Sequence, residues 1–388
     1  MNKFSRLRVG ILCGPIHPKL GGPAAVVAAH LEVLSNYSDV TLFGVVDHTD
    51  RHEVSALYPD AFLFDRTYPK LWYRGQGLQA SLAVKALQLD VLHAHMLWDY
   101  PVYAAWKVSR TLGLPFIITP HGTLAEAWRY SSPHKQLYRR FISDRMLEQA
   151  SAVQLLSIAE EDAMKRLGLR MNSVVIPNGL PASHFIRNTS PNEAISRFPQ
   201  LAGRRIVLFL GRLWPEKGLD ILPRAWASAT SADDSSLLVL AGPDYKGYQR
   251  TLISSIKEAG IADRTLVTGP LFGTIKDSLL AAADVFVLPS HSEGFSMSLL
   301  EAAAAGLPSI FTQECNFPQL ALAGGGWEIS RNKEDLSVAI RHALSLPKND
   351  LLSIGNKARK WAGTHFSLEN IGMDLLALYE KLMVSKLV

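Results

Sequence analysis

Short unbroken apolar runs alternate with helical patterns along the whole chain. In the first half these runs are Val9–Cys13, Val40–Val46, Val91–His95, Phe116–Thr119, Val153–Leu156 and Val174–Ile176. In the second half they are Ile206–Leu210, Leu237–Ala241, Thr265–Val267, Val285–Pro289 and Ser309–Thr312. Runs without polar alternation mark strands buried on both faces, which is the signature of parallel sheet covered by helices. Right-handed crossovers then produce a doubly wound α/β fold. The final segment, 366–388, is helical by pattern.

The series restarts near residue 204. Arg204 and Arg205 precede Ile206–Leu210 much as Arg6 and Arg8 precede Val9–Cys13. A polar, proline-containing stretch, Pro181 to Gly203, lies before the restart. The pattern predicts two α/β domains, residues 1–190 and 200–365. A length of 388 residues suits two domains. No repeat of 20–50 residues is present. Ligands of open parallel sheets bind beyond the carboxyl ends of the strands, so the expected site is a cleft between two such domains.

Composition narrows the classes. With 48% hydrophobic and 19% charged residues the chain is globular rather than disordered. Its 27 glycines and 21 prolines show no triplet period, which excludes collagen. Only two cysteines are present, Cys13 and Cys315, which excludes a disulfide framework and a cysteine-based zinc finger and favours buried thiols. No apolar run approaches the ~20 residues of a membrane helix. The first apolar stretch falls short of the ~7–15 residues of a secretory h-region, so a cytoplasmic location is expected and a periplasmic binding protein is disfavoured.

The net charge of +5 is too mild for a nucleic-acid surface, and no nucleic-acid partner is expected. One basic cluster stands out at 134–145, with Lys135, Arg139, Arg140 and Arg145. Leu137, Phe141 and Ile142 are expected on one side of that helix. Such a helix can rest on an anionic membrane surface, or it can be an ordinary solvated face.

Several loops could carry chemistry. The strand Val285–Pro289 leads into Ser290-His291-Ser292-Glu293-Gly294-Phe295-Ser296, then a helix from Met297. A helix N-terminus offers unsatisfied amides to an anion. Glu293 would repel such an anion unless it binds hydroxyl groups instead. Glu301 has a structural alternative, because Ser298-Leu299-Leu300-Glu301 fits a capping box. Arg212 and Lys217 follow the strand ending at Gly211, and two cations there suit a pyrophosphate. Gly21 and Gly22 in the first βα turn let a backbone approach a phosphate, or simply make a tight turn. That turn is neither the dinucleotide fingerprint nor a P-loop.

His121 ends the strand Phe116–Thr119 and so faces the expected site. His93 and His95 share one face of a strand; metal ligation lacks a third ligand, and packing or hydrogen bonding is the alternative. Asn178, in Pro177-Asn178-Gly179, is explained by a turn. Ser157-Ile158-Ala159-Glu160 is a second capping box. No D-x-D occurs, so charge on a leaving group is expected to be met by Arg, Lys and helix dipoles rather than by a bound metal.

Glu293 and Glu301 enclose seven residues, and Glu293-Gly294-Phe295 with Leu300-Glu301-Ala302 resembles the E-x7-E motif of retaining glycosyltransferase family 4. Gly211-Arg212 with Lys217-Gly218 is similar to that family's phosphate loop. Gly21-Gly22, Pro120-His121-Gly122 and Pro177-Asn178-Gly179 match in order and spacing. The resemblance spans about residues 8–380. It implies a GT-B fold of two facing Rossmann-like domains, an N-terminal acceptor domain and a C-terminal donor domain. It also implies a C-terminal helix, about 366–388, that crosses back onto the first domain.

The resemblance further implies site roles. Arg212 and Lys217 would bind the donor diphosphate, and Glu301 the ribose hydroxyls. Glu293 would hold hydroxyls of the transferred sugar, with amides of Gly294, Phe295 and Ser296 on sugar or phosphate. His121 would bond the donor sugar near its 6-hydroxyl, and Gly21 and Gly22 would close over the diphosphate or the acceptor. Gly269 and Leu271 lie in the segment that would meet the base. Ser296-Met297 departs from the Gly-Leu of many members, and Leu180-Pro181 from Val-Asp.

The expected function is therefore retaining transfer of a hexose from a UDP- or GDP-sugar, without cofactor or metal, to a glycan or lipid-linked glycan in surface polysaccharide biosynthesis. A small soluble acceptor such as a sugar phosphate is the alternative. A non-catalytic nucleotide-sugar binding protein is a remote one, since Arg212, Lys217 and Glu293 are all retained. A nicotinamide oxidoreductase lacks its glycine fingerprint here.

Overall fold

A computed structural model of the chain describes residues 6–17, 22–123, 133–166, 168–186, 189–231 and 235–385. The chain divides into two compact units, Met1–Leu180 with Leu368–Val388, and Pro181–Ser367. Each is a Rossmann-like α/β layer around a parallel sheet.

The first unit holds β1 (Arg8–Pro15), β2 (Asp39–Val46), β3 (Phe62–Thr67), β4 (Arg74–Gly75), β5 (Val91–His95), β6 (Phe116–Thr119), β7 (Ala152–Leu155) and β8 (Ser173–Val175). Their order is β4-β3-β2-β1-β5-β6-β7-β8, and all neighbours are parallel except β3 and β4. Register puts Val9 beside Val40 and Val91, and His93 beside Ile117. Side chains alternate across the sheet, so two cores form. Leu12, Phe43, Leu92, Ile118 and Val153 face one core, and Val9, Ile11, Val91 and Ile117 the other.

The second core is completed by the helix Leu368–Ser385. Its Leu368, Ile371, Leu375 and Tyr379 are buried there. The Leu368 amide donates to the Leu180 carbonyl at 2.9 Å, which docks the start of the helix. A Cβ on Gly372 would run into Val33, so glycine allows the close approach to the helix Gly22–Leu34. Each fully buried Leu or Ile side chain stabilises by roughly 1.5–3 kcal/mol.

The second unit holds β9 (Arg205–Leu210), β10 (Ser236–Ala241), β11 (Thr265–Gly269), β12 (Val285–Leu288), β13 (Ser309–Thr312) and β14 (Gly326–Ile329), ordered β11-β10-β9-β12-β13-β14. The chain joins this unit from Pro181 onward. The Ala194 amide donates to Ser278 Oγ, and Ser278 Oγ to the Ser190 carbonyl. These long-range bonds tie Ser190 and Ala194 to the helix Gly273–Ala282 of the second unit.

Three strands escaped the apolar pattern. β3 carries Asp65 and Arg66, whose side chains pair with Arg51 and Asp47. β4 is two residues long, and β14 is an edge strand opened by Gly324-Gly325-Gly326. The basic helix is also interrupted. It runs Pro133–Tyr138, then a π-turn Arg139–Ser143, then Asp144–Gln149. Ile142 packs against the core while Leu137 and Phe141 stay exposed, so the three do not share one face. Among the described residues, no helix is long and apolar enough to cross a membrane.

Candidate active site

In the second unit the loops after β9 and β12 are tied together. The His291 amide and the Ser290 hydroxyl both donate to the Glu216 carbonyl, at 2.7 and 3.0 Å. His291 also pairs with Asp220 at 3.0 Å. Gly218 has φ +80°, and a Cβ there would run into the Pro289 carbonyl. Only glycine suits both the left-handed backbone and the contact.

This bracing brings Lys217 to Glu293. Nζ lies 2.7 Å from Oε1, with both side chains largely buried. The sequence placed the two residues on different ligand groups, and the structure shows them as one ion pair. Arg212 behaves differently. It is exposed, its guanidinium stands 5.1 Å from the centre of the Tyr245 ring, and among the described residues no carboxylate pairs with it.

The helix Met297–Ala304 starts beside Glu293. Ser296 is its N-cap, and Ser296 Oγ accepts from the Leu299 amide at 3.3 Å. The capping box that was the structural alternative for Ser298 to Glu301 is therefore not formed. Glu301 instead pairs with Lys276, on the helix Gly273–Ala282, at 2.9 Å. Lys276 carried no local signal in the sequence. Phe295 turns its ring onto Phe317 and Phe366, 5.0 and 5.7 Å between centres, which anchors the loop and leaves only its backbone for a ligand.

The remaining candidates are placed as follows. Gly269 has φ +75°, and its carbonyl accepts from the Gly242 amide. Leu271 is buried, so a base could meet its backbone but not its side chain. In the first unit Gly22 opens the helix Gly22–Leu34 at φ +32° with open space beyond its Cα. Gly21 lies outside the described residues. Asn178 is buried and its Oδ1 has no partner among the described residues.

His121 sits at the end of β6 with φ +55°, a conformation uncommon for a side chain with a Cβ. Its Nε2 is 2.9 Å from His95 Nδ1. His95 stacks on His93 at 4.4 Å and approaches His30 at 5.4 Å. His93 Nε2 meets Thr119 Oγ1 at 2.6 Å and its Nδ1 meets Tyr379 Oη at 2.7 Å. Burial pushes all four imidazoles down, His30 to about 4 and His121 to about 3, with neighbouring rings adding to the fall at His93, His95 and His121. Among the described residues no group of three His, Cys, Asp or Glu could hold a metal ion.

Two further residues support this end of the sheet. Glu160 is not the arm of a capping box. The Glu160 amide does bond Ser157 Oγ, but its carboxylate accepts from the Leu156 and Gly122 amides, at 2.8 and 3.0 Å. It therefore holds the turn that carries His121. Asp99 occupies the N-cap of the helix Tyr100–Leu112 without a side-chain capping bond; it is buried against Gly14, Oδ2 has no partner among the described residues, and burial raises its carboxyl to about 7. Both thiols are buried and free, and burial pushes Cys315 up to about 12.

Two Rossmann-like α/β units, one with a braced phosphate-type loop and an acidic loop at a helix start, define the GT-B class. Residues 21–179 match the family described as "Glycosyl transferase 4-like domain", and residues 192–361 the one described as "Glycosyl transferases group 1". The chain belongs to the GT4-like glycosyltransferases of GT-B fold.

Its relatives include a putative teichuronic acid biosynthesis glycosyltransferase, TuaC, of Bacillus subtilis (strain 168), 31% identical over 58% of this chain and 53% of that one. A D-inositol 3-phosphate glycosyltransferase of Actinosynnema mirum is 27% identical over 70% of this chain and 62% of that one. The alignments thus span roughly half to three-fifths of these relatives' lengths. HepE of Anabaena, solved with UDP, has TM-score 0.80 at 20% identity, covering 97% of this chain and 100% of that one. At that identity the likeness speaks to the fold.

Proposed function

We propose that this chain transfers a hexose from a nucleotide diphosphate sugar to a glycan or lipid-linked glycan, with retention at the anomeric carbon and without a metal. The observation that carries the reading is the Lys217–Glu293 pair at the N-terminus of the helix Met297–Ala304. It sets a cation, a hydroxyl-binding carboxylate and unsatisfied first-turn amides side by side. Arg212, unpaired with any acid among the described residues, adds a second cation.

In this reading the anomeric carbon–oxygen bond to the phosphate breaks as negative charge gathers on the diphosphate. Arg212, Lys217 and the helix start stabilise that charge in a preorganised field. The acceptor oxygen bonds to the anomeric carbon on the same face, and the acceptor proton passes to the departing phosphate oxygen. Glu293 holds sugar hydroxyls, Glu301 the ribose hydroxyls, and His121 a hydroxyl of the transferred sugar. The amides of Gly294 and Ser296 contact sugar or phosphate.

Neighbours support a uridine donor, since Anabaena HepE has been solved with UDP-glucose. Relatives named for teichuronic acid and for alpha-monoglucosyldiacylglycerol support a polymer or lipid-linked acceptor in surface polysaccharide assembly. The exposed Leu137 and Phe141 beside Arg140 and Arg145 support peripheral contact with an anionic cytoplasmic membrane face. The inositol phosphate relative favours the soluble alternative.

Thermal stabilisation by UDP, GDP, ADP, TDP, their common sugars and NAD(P)H tests the donor class, because a ligand of the native state raises its apparent stability. A shift with one nucleoside diphosphate and its sugar is expected. A nicotinamide shift alone would refute the reading. Sedimentation with anionic vesicles separates the acceptors, since absence of binding argues for the soluble one.

A further inference from the structure

We propose that His95 is a positioning residue that fixes which nitrogen of His121 carries the proton, so that His121 presents Nδ1–H to an oxygen of the substrate. The inference rests on the reading of His121 as a ligand of a sugar hydroxyl.

The argument starts at the far end of the network. Gln154 Nε2 donates to the Ile176 carbonyl at 2.9 Å, so Gln154 Oε1 is the amide's acceptor. Thr119 Oγ1 lies 2.7 Å from that oxygen and must donate its only proton there. Thr119 can then only accept from His93, which places the His93 proton on Nε2. His93 Nδ1 is left as a lone pair and accepts from Tyr379 Oη. His93 therefore exchanges no proton with its neighbouring rings.

His95 has two possible arrangements. Its Nδ1 faces His121 Nε2, and its own Nε2 is buried with no partner among the described residues. A proton on Nε2 would leave an orphaned N–H in the core. A proton on Nδ1 leaves only an unused lone pair. Orphaned buried donors are the rarer and costlier case. His95 therefore donates from Nδ1 to His121 Nε2. A neutral imidazole has one N–H, so the His121 proton sits on Nδ1. That nitrogen has no partner among the described residues.

The backbone holds this ring in place. His121 keeps its left-handed φ while Glu160 clamps the next amide and Thr123 Oγ1 donates to the Pro120 carbonyl at 2.6 Å. A strained position fixed by several bonds is a common mark of function. The consequence is chemical. An Nδ1–H donates to a hydroxyl, carbonyl or carboxylate oxygen and has nothing to offer an ammonium group. The sugar position it meets is thus oxygen-bearing, and a deoxy or amino sugar there is discriminated against.

The test is ¹⁵N NMR of the full chain labelled at histidine, at pH 7.5, with ring signals assigned by His93→Gln and His121→Gln. His121 is expected to be protonated at Nδ1 and His93 at Nε2. His121 protonated at Nε2 would overturn the proposal. Two variants separate positioning from packing. His95→Asn keeps a donor near the Nδ1 position, whereas His95→Leu keeps bulk alone.

His95→Leu is expected to raise the donor KM about tenfold and to move the His121 proton toward Nε2. His95→Asn should stay within about threefold of the wild type. Equal losses in both variants, or none in His95→Leu, would overturn the proposal. If His95→Leu fails to fold, the wild-type spectrum still decides. Unchanged donor binding and turnover in His121→Gln would instead refute the role of His121, and the tautomer would still be read independently.

Discussion

Lys217 Nζ lies 2.7 Å from Glu293 Oε1, and the pair joins the loop after β9 to the loop after β12. Without ligand the two charges neutralise each other. A donor would therefore exchange this contact for phosphate and hydroxyl contacts.

Lys217→Ala should lower turnover by about 100-fold or more, the cost of one preorganised charge-stabilising donor. It should also destabilise the fold, because Glu293 loses its counter-charge in a largely buried site. A double-mutant cycle of Lys217→Met and Glu293→Gln should show coupling of about 1–3 kcal/mol by urea unfolding. Turnover of Lys217→Ala within threefold of wild type would refute its assignment.

Under the proposed function Glu301 would leave its pair with Lys276 to accept ribose hydroxyls. Glu301→Ala should abolish the thermal shift with the matching nucleoside diphosphate, and the wild type should bind the 2′,3′-dideoxy diphosphate about tenfold or more weakly. Equal affinity for the ribo and dideoxy forms, measured by calorimetry, would show that Glu301 is structural.

The buried imidazoles predict acid lability. Unfolded histidine titrates near 6.5 and the folded rings lower, so the unfolded state binds more protons between those values. Their stability is fully present above about pH 6.5 and is lost as pH falls toward about 4. The slope should be about 1.4 kcal/mol per pH unit for each ring involved. Chemical denaturation across this range should show it, and His30→Leu should flatten it.

Asp99 acts with the opposite sign. Its folded carboxyl, raised to about 7, binds a proton that the unfolded chain has released, so it costs stability as pH rises from about 4 to about 7. Asp99→Asn should be more stable than the wild type at pH 8 by roughly 1–4 kcal/mol, and the gap should close near pH 4. A pH-independent difference would contradict this.

Tyr379→Phe removes the donor to His93 Nδ1 and leaves a buried acceptor unpaired. It should cost about 1–3 kcal/mol in urea unfolding. An effect below a few tenths would show that the bond is not maintained in solution.

Much of this protein was legible in the order of its residues. Short apolar runs such as Val91–His95 and Phe116–Thr119 read as buried parallel strands, and they coincide with β5 and β6. Glu293, Arg212 and Lys217 were singled out as candidates because a loop at a strand's carboxyl end is a local feature, and Glu301 because it stands eight positions after Glu293. The helical pattern of the last segment was equally plain.

Tertiary structure decided what is held together by contacts distant in sequence. The Lys217–Glu293 and Lys276–Glu301 pairs join separate βα loops, and no local period encodes such a meeting. Glu160 looks like a capping residue until the fold brings Gly122 within reach. Ile142 found a place against the core while its neighbour Phe141 stayed exposed. The four histidines lie on one strand, one loop and one helix, and only sheet register and the docking of Tyr379 make them one network. Sequence fixes the chemistry each side chain can do; which side chain meets which depends on packing that sums over the whole sheet.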